Sequence, residues 1–407
     1  MTNMSPKISF IVCSRNDNYM GNPMWRLETT VNYLIKNLVK VDRVQEAEII
    51  IADWGSSTPI RDVLNIDRAG KDIVRFICIP PSIAKKCQKD SPFSEVHSLN
   101  AAARVAKGNY IGRIDQDTLV GEKFLRWFFE VLGHSSQGGS DYENAILFAN
   151  RKSIPYRFSV QCPKFAYVEK YIEDYGDALK VWNYNPHYPD LFWTSYVGIF
   201  LLTKKIWEEC GGYNETMIYY DWMEVEMIIR LQTKYQMVDL GKIVDYDFFH
   251  LDHYQEKPSW SGILHPRVHA STKSNADMDL TKTPDEFHPN SLDWGLRTYH
   301  LTVSPPHGER PNGVDKGMVK SQGSFFGFIS LVTSSKIQGI LDDINAAVFK
   351  VVMPRLEKIK DFVNTWIYRF NLVKETVSGK SLIHWPTLIM GLWTSKRYAR
   401  LERLKNN

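Results

Sequence analysis

The chain has 407 residues, 43% of them hydrophobic and 24% charged, with a formal net charge of +4. This is an ordinary globular composition, long enough for one large α/β domain with an appendage or for two domains. So small a positive excess gives no argument for a nucleic-acid partner, and it is unevenly spread: from Lys336 onward thirteen Lys/Arg face six Asp/Glu, a local +7, which leaves −3 on everything before. Five cysteines, Cys13, Cys78, Cys87, Cys162 and Cys210, show no Cys-x-x-Cys spacing. They read as reduced thiols of a cytoplasmic protein and not as a zinc or redox site. Met1 to Lys7 offers no basic segment leading into an apolar core, so no secretory signal is expected. No run approaches the ~18 apolar residues of a membrane span.

Ile8 to Cys13 is a short apolar run, a first buried strand, and it stops at Ser14-Arg15-Asn16-Asp17, whose side chains can bond a ribose or a base. Met24, Leu27, Val31, Leu34, Ile35 and Leu38 then recur at helical spacing, giving an amphipathic helix from about Trp25 to Val39. Ala47 to Asp53 is the second strand, followed by the turn Trp54-Gly55-Ser56-Ser57-Thr58-Pro59. Strand, helix, strand at this spacing implies a right-handed βαβ unit in a parallel sheet, with Ser14 and Asp53 on one edge. Ile73 to Ile79 is a third strand, ended by Pro80-Pro81. Ser94 to Lys107 is an Ala-rich helix with Gly108 as its cap, and it leads into a fourth strand, Tyr110 to Ile114.

That strand ends in two carboxylates one residue apart, Asp115 and Asp117. In an open α/β sheet ligands bind beyond the carboxyl ends of the strands. Paired carboxylates there suit Mg²⁺ or Mn²⁺, which complete their shell with water and substrate phosphates. Ala145 to Ala149 and Phe192 to Leu202 read as further strands, and a short helix after Thr203 is capped by Gly211-Gly212. The helix over Tyr219 to Leu231 carries Asp221, Glu224 and Glu226 near its start, where the dipole favours negative charge. Met237 to Val244 reads as a closing hairpin that feeds Asp247-Phe-Phe-His250-Leu-Asp-His253. From Ser259 to Gly323 the composition shifts toward Pro, Ser, Thr, Asn, Gly and His, which predicts irregular surface segments or a lid, with Asn290 to Leu296 as the compact apolar feature within it. Ser324 to Asn407 reads as helices that interleave basic and aromatic residues. They suit either peripheral contact with an anionic membrane face or a helical packing surface, including self-association.

Six stretches in order carry a resemblance: Ile11-Val-Cys-Ser-Arg-Asn16, Ile49-Ile-Ile-Ala-Asp-Trp-Gly-Ser56, Leu99-Asn-Ala-Ala-Ala-Arg-Val-Ala-Lys-Gly-Asn-Tyr-Ile111, Asp115-Gln-Asp117, Gly211-Gly-Tyr-Asn-Glu215 and Trp222-Met-Glu-Val-Glu226. Over residues 8 to 255 the chain resembles glycosyltransferase family 2 and its relatives with the GT-A fold. The resemblance implies a Rossmann-like α/β catalytic domain over 1–258, with a mixed, mostly parallel sheet flanked by helices; outside it, composition and pattern give an irregular acceptor-side or lid segment at 259–323 and a basic helical C-terminal extension at 324–407. The resemblance also implies nucleotide binding by Ser14, Arg15, Asn16, Asp53, Asn100 and Asp115. Metal binding falls to Asp115 and Asp117, with His250 completing the shell and His253 second to it. Glu224 takes the place of the catalytic base. Asp221 stands as its understudy, because the family more often shows Glu-Asp where this chain has Met223-Glu224.

The activity so implied is inverting, Mn²⁺- or Mg²⁺-dependent transfer of a sugar from a nucleoside diphosphate, UDP first, to a saccharide or glycoconjugate, in the cytoplasm or at the cytoplasmic membrane face. Two rivals stand beside it. A sugar nucleotidyltransferase needs a Gly-rich, Lys-containing loop after the first strand, which Ser14-Arg-Asn-Asp-Asn-Tyr19 lacks. Against a non-catalytic scaffold that binds sugar nucleotides stand both the metal pair and the acidic helix head.

Overall fold

Ile8–Ser14 forms strand β1 with both faces buried: Ile8, Phe10 and Val12 enter one core and Ile11 the other, all without solvent exposure. A strand buried on both faces belongs to a sheet with helices on each side. The structure, a computed structural model, describes residues 5–17, 19, 21–133, 142–179, 181, 198–219, 223–253, 275 and 287–305. In chain order β1 is followed by α1 (Pro23–Lys40), β2 (Ala47–Trp54), the single turn α2 (Ile60–Val63), β3 (Val74–Ile79), α3 (Pro81–Gln88), α4 (Glu95–Val105) and β4 (Tyr110–Ile114). These four strands are parallel in the order β3-β2-β1-β4, with Ser14 level with Asp53 and Ile8 level with Tyr110. The chain thus winds from β1 to β3 on one side and restarts on the other with β4. The switch point between β1 and β4 is where such a sheet opens a crevice.

The second half contributes β5 (Thr118–Val120), α5 (Glu122–Trp127), β6 (Ala145–Ala149), β7 (Lys152–Ile154), the single turn α6 (Tyr156–Ser159) and α7 (Phe165–Tyr175). Then come β8 (Ile199–Thr203), α8 (Lys204–Glu209), α9 (Met223–Leu231), β9 (Gln236–Asp239), the single turn α10 (Leu240–Ile243), β10 (Phe248–Leu251) and β11 (Val303–Ser304). β8 runs antiparallel beside β4 and β6, β9 parallel to β6, and β11 antiparallel on the β3 edge, completing an eight-stranded sheet. A small sheet, β5-β10-β7, stands apart from it. The result is the expected mixed, mostly parallel sheet flanked by helices: α1 and α5 cover one face, and α4, α8 and α9 the other.

Two expectations change. The strand expected from Phe192 is observed over Ile199–Thr203, and 182–197 lie outside the described residues. The expected closing hairpin at 237–244 is instead β9 followed by α10, because Leu240 and Val244, four residues apart, both enter the core on the α1 side. Farther along the chain, Trp294 and Leu296 are buried in the core around α4, and Val303–Ser304 extends the sheet. The helical extension at 324–407 lies outside the described residues, as does Asp221. No helix among the described residues is long and apolar enough to cross a membrane.

The turn before α9 is built around two left-handed glycines, Gly211 at φ 69° and Gly212 at φ 71°. A Cβ on Gly212 would sit 2.4 Å from Asn100 Oδ1. Asn100, fully buried on α4, donates from Nδ2 to the Tyr213 carbonyl at 2.8 Å and to Glu215 Oε1 at 3.1 Å, while its Oδ1 accepts from Tyr213 N–H at 2.8 Å. Asn100, expected at the nucleotide, is seen here as a clamp on this turn, with both polar ends of its side chain bonded to protein groups. Removing it strands buried backbone groups, each costing ~1–3 kcal/mol. Asn100→Ala should lower unfolding free energy in urea by about 3 kcal/mol, and equal stability would show the clamp to be dispensable.

Candidate active site

The loops at the open end of β1 and β2 brace one another. Ser14 Oγ donates to Gln116 Oε1 at 2.6 Å, tying the end of β1 to the residue between the two aspartates. Arg15 bonds Asp17 at 2.8 Å and the Pro92 carbonyl at 2.8 Å, with its guanidinium 5.6 Å from the Phe93 ring centre. Asn16 N–H donates to Ser56 Oγ at 2.8 Å, and its Nδ2 donates to the Thr58 carbonyl at 3.0 Å. Asp53 is buried and accepts from Ile60 N–H at 2.8 Å, from Ser56 N–H at 3.3 Å and from the Ser56 hydroxyl. Burial raises its pKa, although these bonds oppose the rise. Asp53 thus shapes the loop after β2 from within.

Asp117 is buried, with only 7% of its side chain exposed. Arg26 Nη1, from α1, lies 2.6 Å from Oδ2, and Arg151 Nη1, from the β6–β7 connection, lies 3.0 Å from Oδ1. His250 Nε2 is 3.6 Å away and His253 Nε2 is 3.3 Å away. The register explains the first histidine: β10 pairs antiparallel with β5 so that His250 stands opposite Thr118, next to Asp117 in sequence. Burial alone would favour protonated Asp117, but the hydrogen bond with His253 and the Arg26 charge oppose it, and the carboxyl is held well below its usual range. Burial and the Arg151 charge push His250 well below the usual imidazole value, so it stays neutral.

One ligand atom each from Asp117, His250 and His253 lie within 4.8 Å of one another. An ionised carboxylate and a neutral imidazole are the protonation states that coordination requires, so the donors fit a divalent cation. With two imidazoles in the set they suit Mn²⁺ better than Mg²⁺, which prefers an all-oxygen shell. The sequence expectation was Asp115, Asp117 and His250. The structure gathers Asp117 with both histidines and leaves Asp115 beside them, 26% exposed, with Oδ2 3.0 Å from the Arg151 Nη1 that also holds Asp117.

On the far side of Asp115 lies Glu224, in the first turn of α9. Its Oε1 is 2.8 Å from Arg113 Nη2, and the same nitrogen is 2.7 Å from Asp115 Oδ1. Burial raises the Glu224 pKa to about 7; Arg113 opposes the rise, and Glu95 and Asp115 add to it. A carboxylate tuned toward neutrality in a cleft is what general-base chemistry uses. Asp247, raised to about 6 by burial, has a structural explanation instead: it accepts from Phe124 N–H at 3.1 Å and caps α5. Sequence reasoning missed Arg26, Arg113, Arg151 and Glu95. Arg113 left a signal, a cation inside an otherwise apolar strand, Tyr110–Ile114.

No known family's sequence pattern matches this chain, and no curated protein matches its sequence. Among solved structures it is similar to Staphylococcus aureus TarS 1–349, at 11% identity and TM-score 0.39, covering 60% of each chain. TarS 1–349 in complex with UDP is matched at 11% identity and TM-score 0.37, over 57% of this chain and 56% of that one. The catalytic domain of Drosophila β1,4-galactosyltransferase 7 in complex with xylobiose gives 12% identity and TM-score 0.32, over 67% of this chain and 84% of that one. A mutant of that enzyme with manganese, UDP-Gal and xylobiose gives 14% and 0.35, over 68% and 84%. The chain thus spans 60% or less of the matched TarS chains.

Mn²⁺ titrated calorimetrically into Asp117→Asn or His253→Ala should bind at least about tenfold more weakly than into wild type, since even outer-shell partners are worth 10- to 100-fold. Undiminished affinity in both variants would remove this group as the cation site.

Proposed function

We propose that the protein is an inverting, metal-dependent glycosyltransferase that moves a sugar from a nucleoside diphosphate, of the UDP type, to a hydroxyl of a saccharide or glycoconjugate. The carrying observation is a convergence at the β1/β4 switch point. A group able to hold a cation, Asp117 with His250 and His253, shares Arg151 with Asp115, and Asp115 shares Arg113 with Glu224, the carboxylate tuned to about 7. UDP, UDP-Gal, manganese and xylobiose are named for the structures this chain is similar to. The reading rests on the site and not on those likenesses.

Charge supports it. Four carboxylates, Glu95, Asp115, Asp117 and Glu224, face three guanidiniums, those of Arg26, Arg113 and Arg151. A divalent cation added to this set makes it net positive, the sign that attracts a diphosphate. When bound, Mn²⁺ supplies Lewis-acid stabilisation of the charge developing on the leaving diphosphate. Arg26 and Arg151 fix the Asp117 carboxylate from two elements, so its oxygens need no reorganisation as the donor arrives. The braced loops at Ser14 to Asp17 and Asp53 to Ser56 form the nucleoside side. Glu224 removes the acceptor hydroxyl proton as that oxygen attacks the anomeric carbon from the face opposite the diphosphate. The bond to the diphosphate oxygen breaks in the same displacement, and the configuration inverts. The enzyme works in the cytoplasm, with the basic extension at 324–407 touching an anionic membrane face.

The test is release of nucleoside diphosphate from a panel of donors with Mn²⁺ and saccharide acceptors. Glu224→Gln should lose about 10²- to 10⁴-fold in kcat while donor affinity holds. Donor binding without turnover under every acceptor would favour the scaffold reading. The base acts ionised and titrates near 7, so kcat in the wild type should climb as pH rises through about 7 and level off above it. A flat profile across that window would exclude Glu224 as the base.

A further inference from the structure

Along β4, positions 111, 113 and 115 share one face, since side chains alternate along a strand. Ile111 on that face enters the core shared with α4 and α9, whereas Tyr110 and Ile114 enter the opposite core. Arg113 and Asp115 therefore point toward the helices that carry Glu95 and Glu224. Arg113 Nη2 is 2.7 Å from Asp115 Oδ1, 2.8 Å from Glu224 Oε1 and 2.8 Å from Glu95 Oε1, and the side chain is only 5% exposed. One nitrogen with two N–H bonds is thus surrounded by oxygens from a strand end and from the first turns of two helices. The guanidinium cannot discard its charge, so it must keep these partners while buried.

We propose that Arg113 is the positioning residue of the reaction, fixing the Glu224 carboxylate relative to Asp115 so that acceptor deprotonation and donor anchoring share one reference atom. This rests on the glycosyltransferase reading, in which Glu224 is the base. The dependence of the two carboxylates on Arg113 is unequal. Asp115 keeps a second cation, Arg151 at 3.0 Å. The ion pair found for Glu224 among the described residues is the one with Arg113. Glu95, 31% exposed, holds the guanidinium from the solvent side. Lysine would offer one charged nitrogen in its place, but unlike a guanidinium a buried ammonium can shed its proton.

A purely structural arginine would change stability and leave the kinetics of the folded enzyme intact; a positioning one separates kcat from donor affinity. Arg113→Gln and Arg113→Lys, checked for folding by circular dichroism, are compared with wild type for nucleoside diphosphate release and for donor Kd by calorimetry with Mn²⁺. The expected fall in kcat is about 100-fold for Arg113→Gln, the scale of a misplaced catalytic group, with partial rescue in Arg113→Lys. Donor Kd should stay within about threefold because Asp115 retains Arg151. Unchanged kcat in both variants, or a donor affinity that falls in step with kcat, overturns the positioning role. If Arg113→Gln does not fold, Glu95→Gln, which keeps the guanidinium and removes one anchor, is read the same way with a fall of about tenfold expected. An active wild type with indifferent variants overturns only this inference. A wild type that turns over no donor and acceptor pair overturns the glycosyltransferase reading and this inference together.

Discussion

A carboxylate almost sealed from water must have its charge met by the protein, and Asp117 is in that position at the open end of the sheet. Its partners come from three separate pieces of chain: Arg26 from α1, Arg151 from the β6–β7 connection, and His250 with His253 from β10 and the residues just beyond it. Meeting that charge therefore requires α1 to pack across the end of β4 and the small β5-β10-β7 sheet to stand beside it. The backbone shares in this, since Leu251 N–H donates to the Asp117 carbonyl at 2.9 Å. The cation chemistry inferred for the cleft and the stability of this corner are aspects of one requirement.

The opposite wall is organised by a second buried charge pair. Glu226 and Arg230, one turn apart on α9, are both shielded from solvent and joined at 2.7 Å. Arg230 also donates to the carbonyls of Cys210 and Gly212 at 3.0 and 2.9 Å. Together with Asn100 from α4 it fixes the Gly211-Gly212 turn and ties that turn to α9. Glu224 stands two residues before Glu226, so the wall that determines its location is built from groups that need never touch a substrate. The segment at 287–305 reinforces it: Arg104 stacks 4.3 Å over Trp294, and Gly295 N–H donates to Glu215 Oε1 at 2.7 Å.

Much of this was legible beforehand wherever the signal was local. Short continuous apolar runs marked β1 and β2, helical spacing marked α1, and the strand, helix, strand order put Ser14 and Asp53 on one edge, where they are found level. The two aspartates at a strand end were legible because an apolar strand stopping in paired carboxylates is a local event. Less readable was any feature that depends on two distant segments meeting. Met237 to Val244 could be a hairpin or a strand and a helical turn until its neighbours are known. Asn100 was read as a ligand contact, and only the packing of α4 against the glycine turn shows that both ends of its amide are occupied.

The amino-acid sequence by itself determined the parallel α/β sheet, the edge on which polar residues gather, and the types of residue available there, because propensity, periodicity and turn chemistry act over a few neighbouring positions. The tertiary structure alone decided which of them share an atom. It made one guanidinium common to Glu95, Asp115 and Glu224, put His253 in the cation group where Asp115 had been expected, and raised Glu224 toward neutrality. Those properties arise from desolvation and from contacts between distant segments, such as Arg113 with Glu224 at 2.8 Å and Asp117 with His253 at 3.3 Å, and neither acts along the chain.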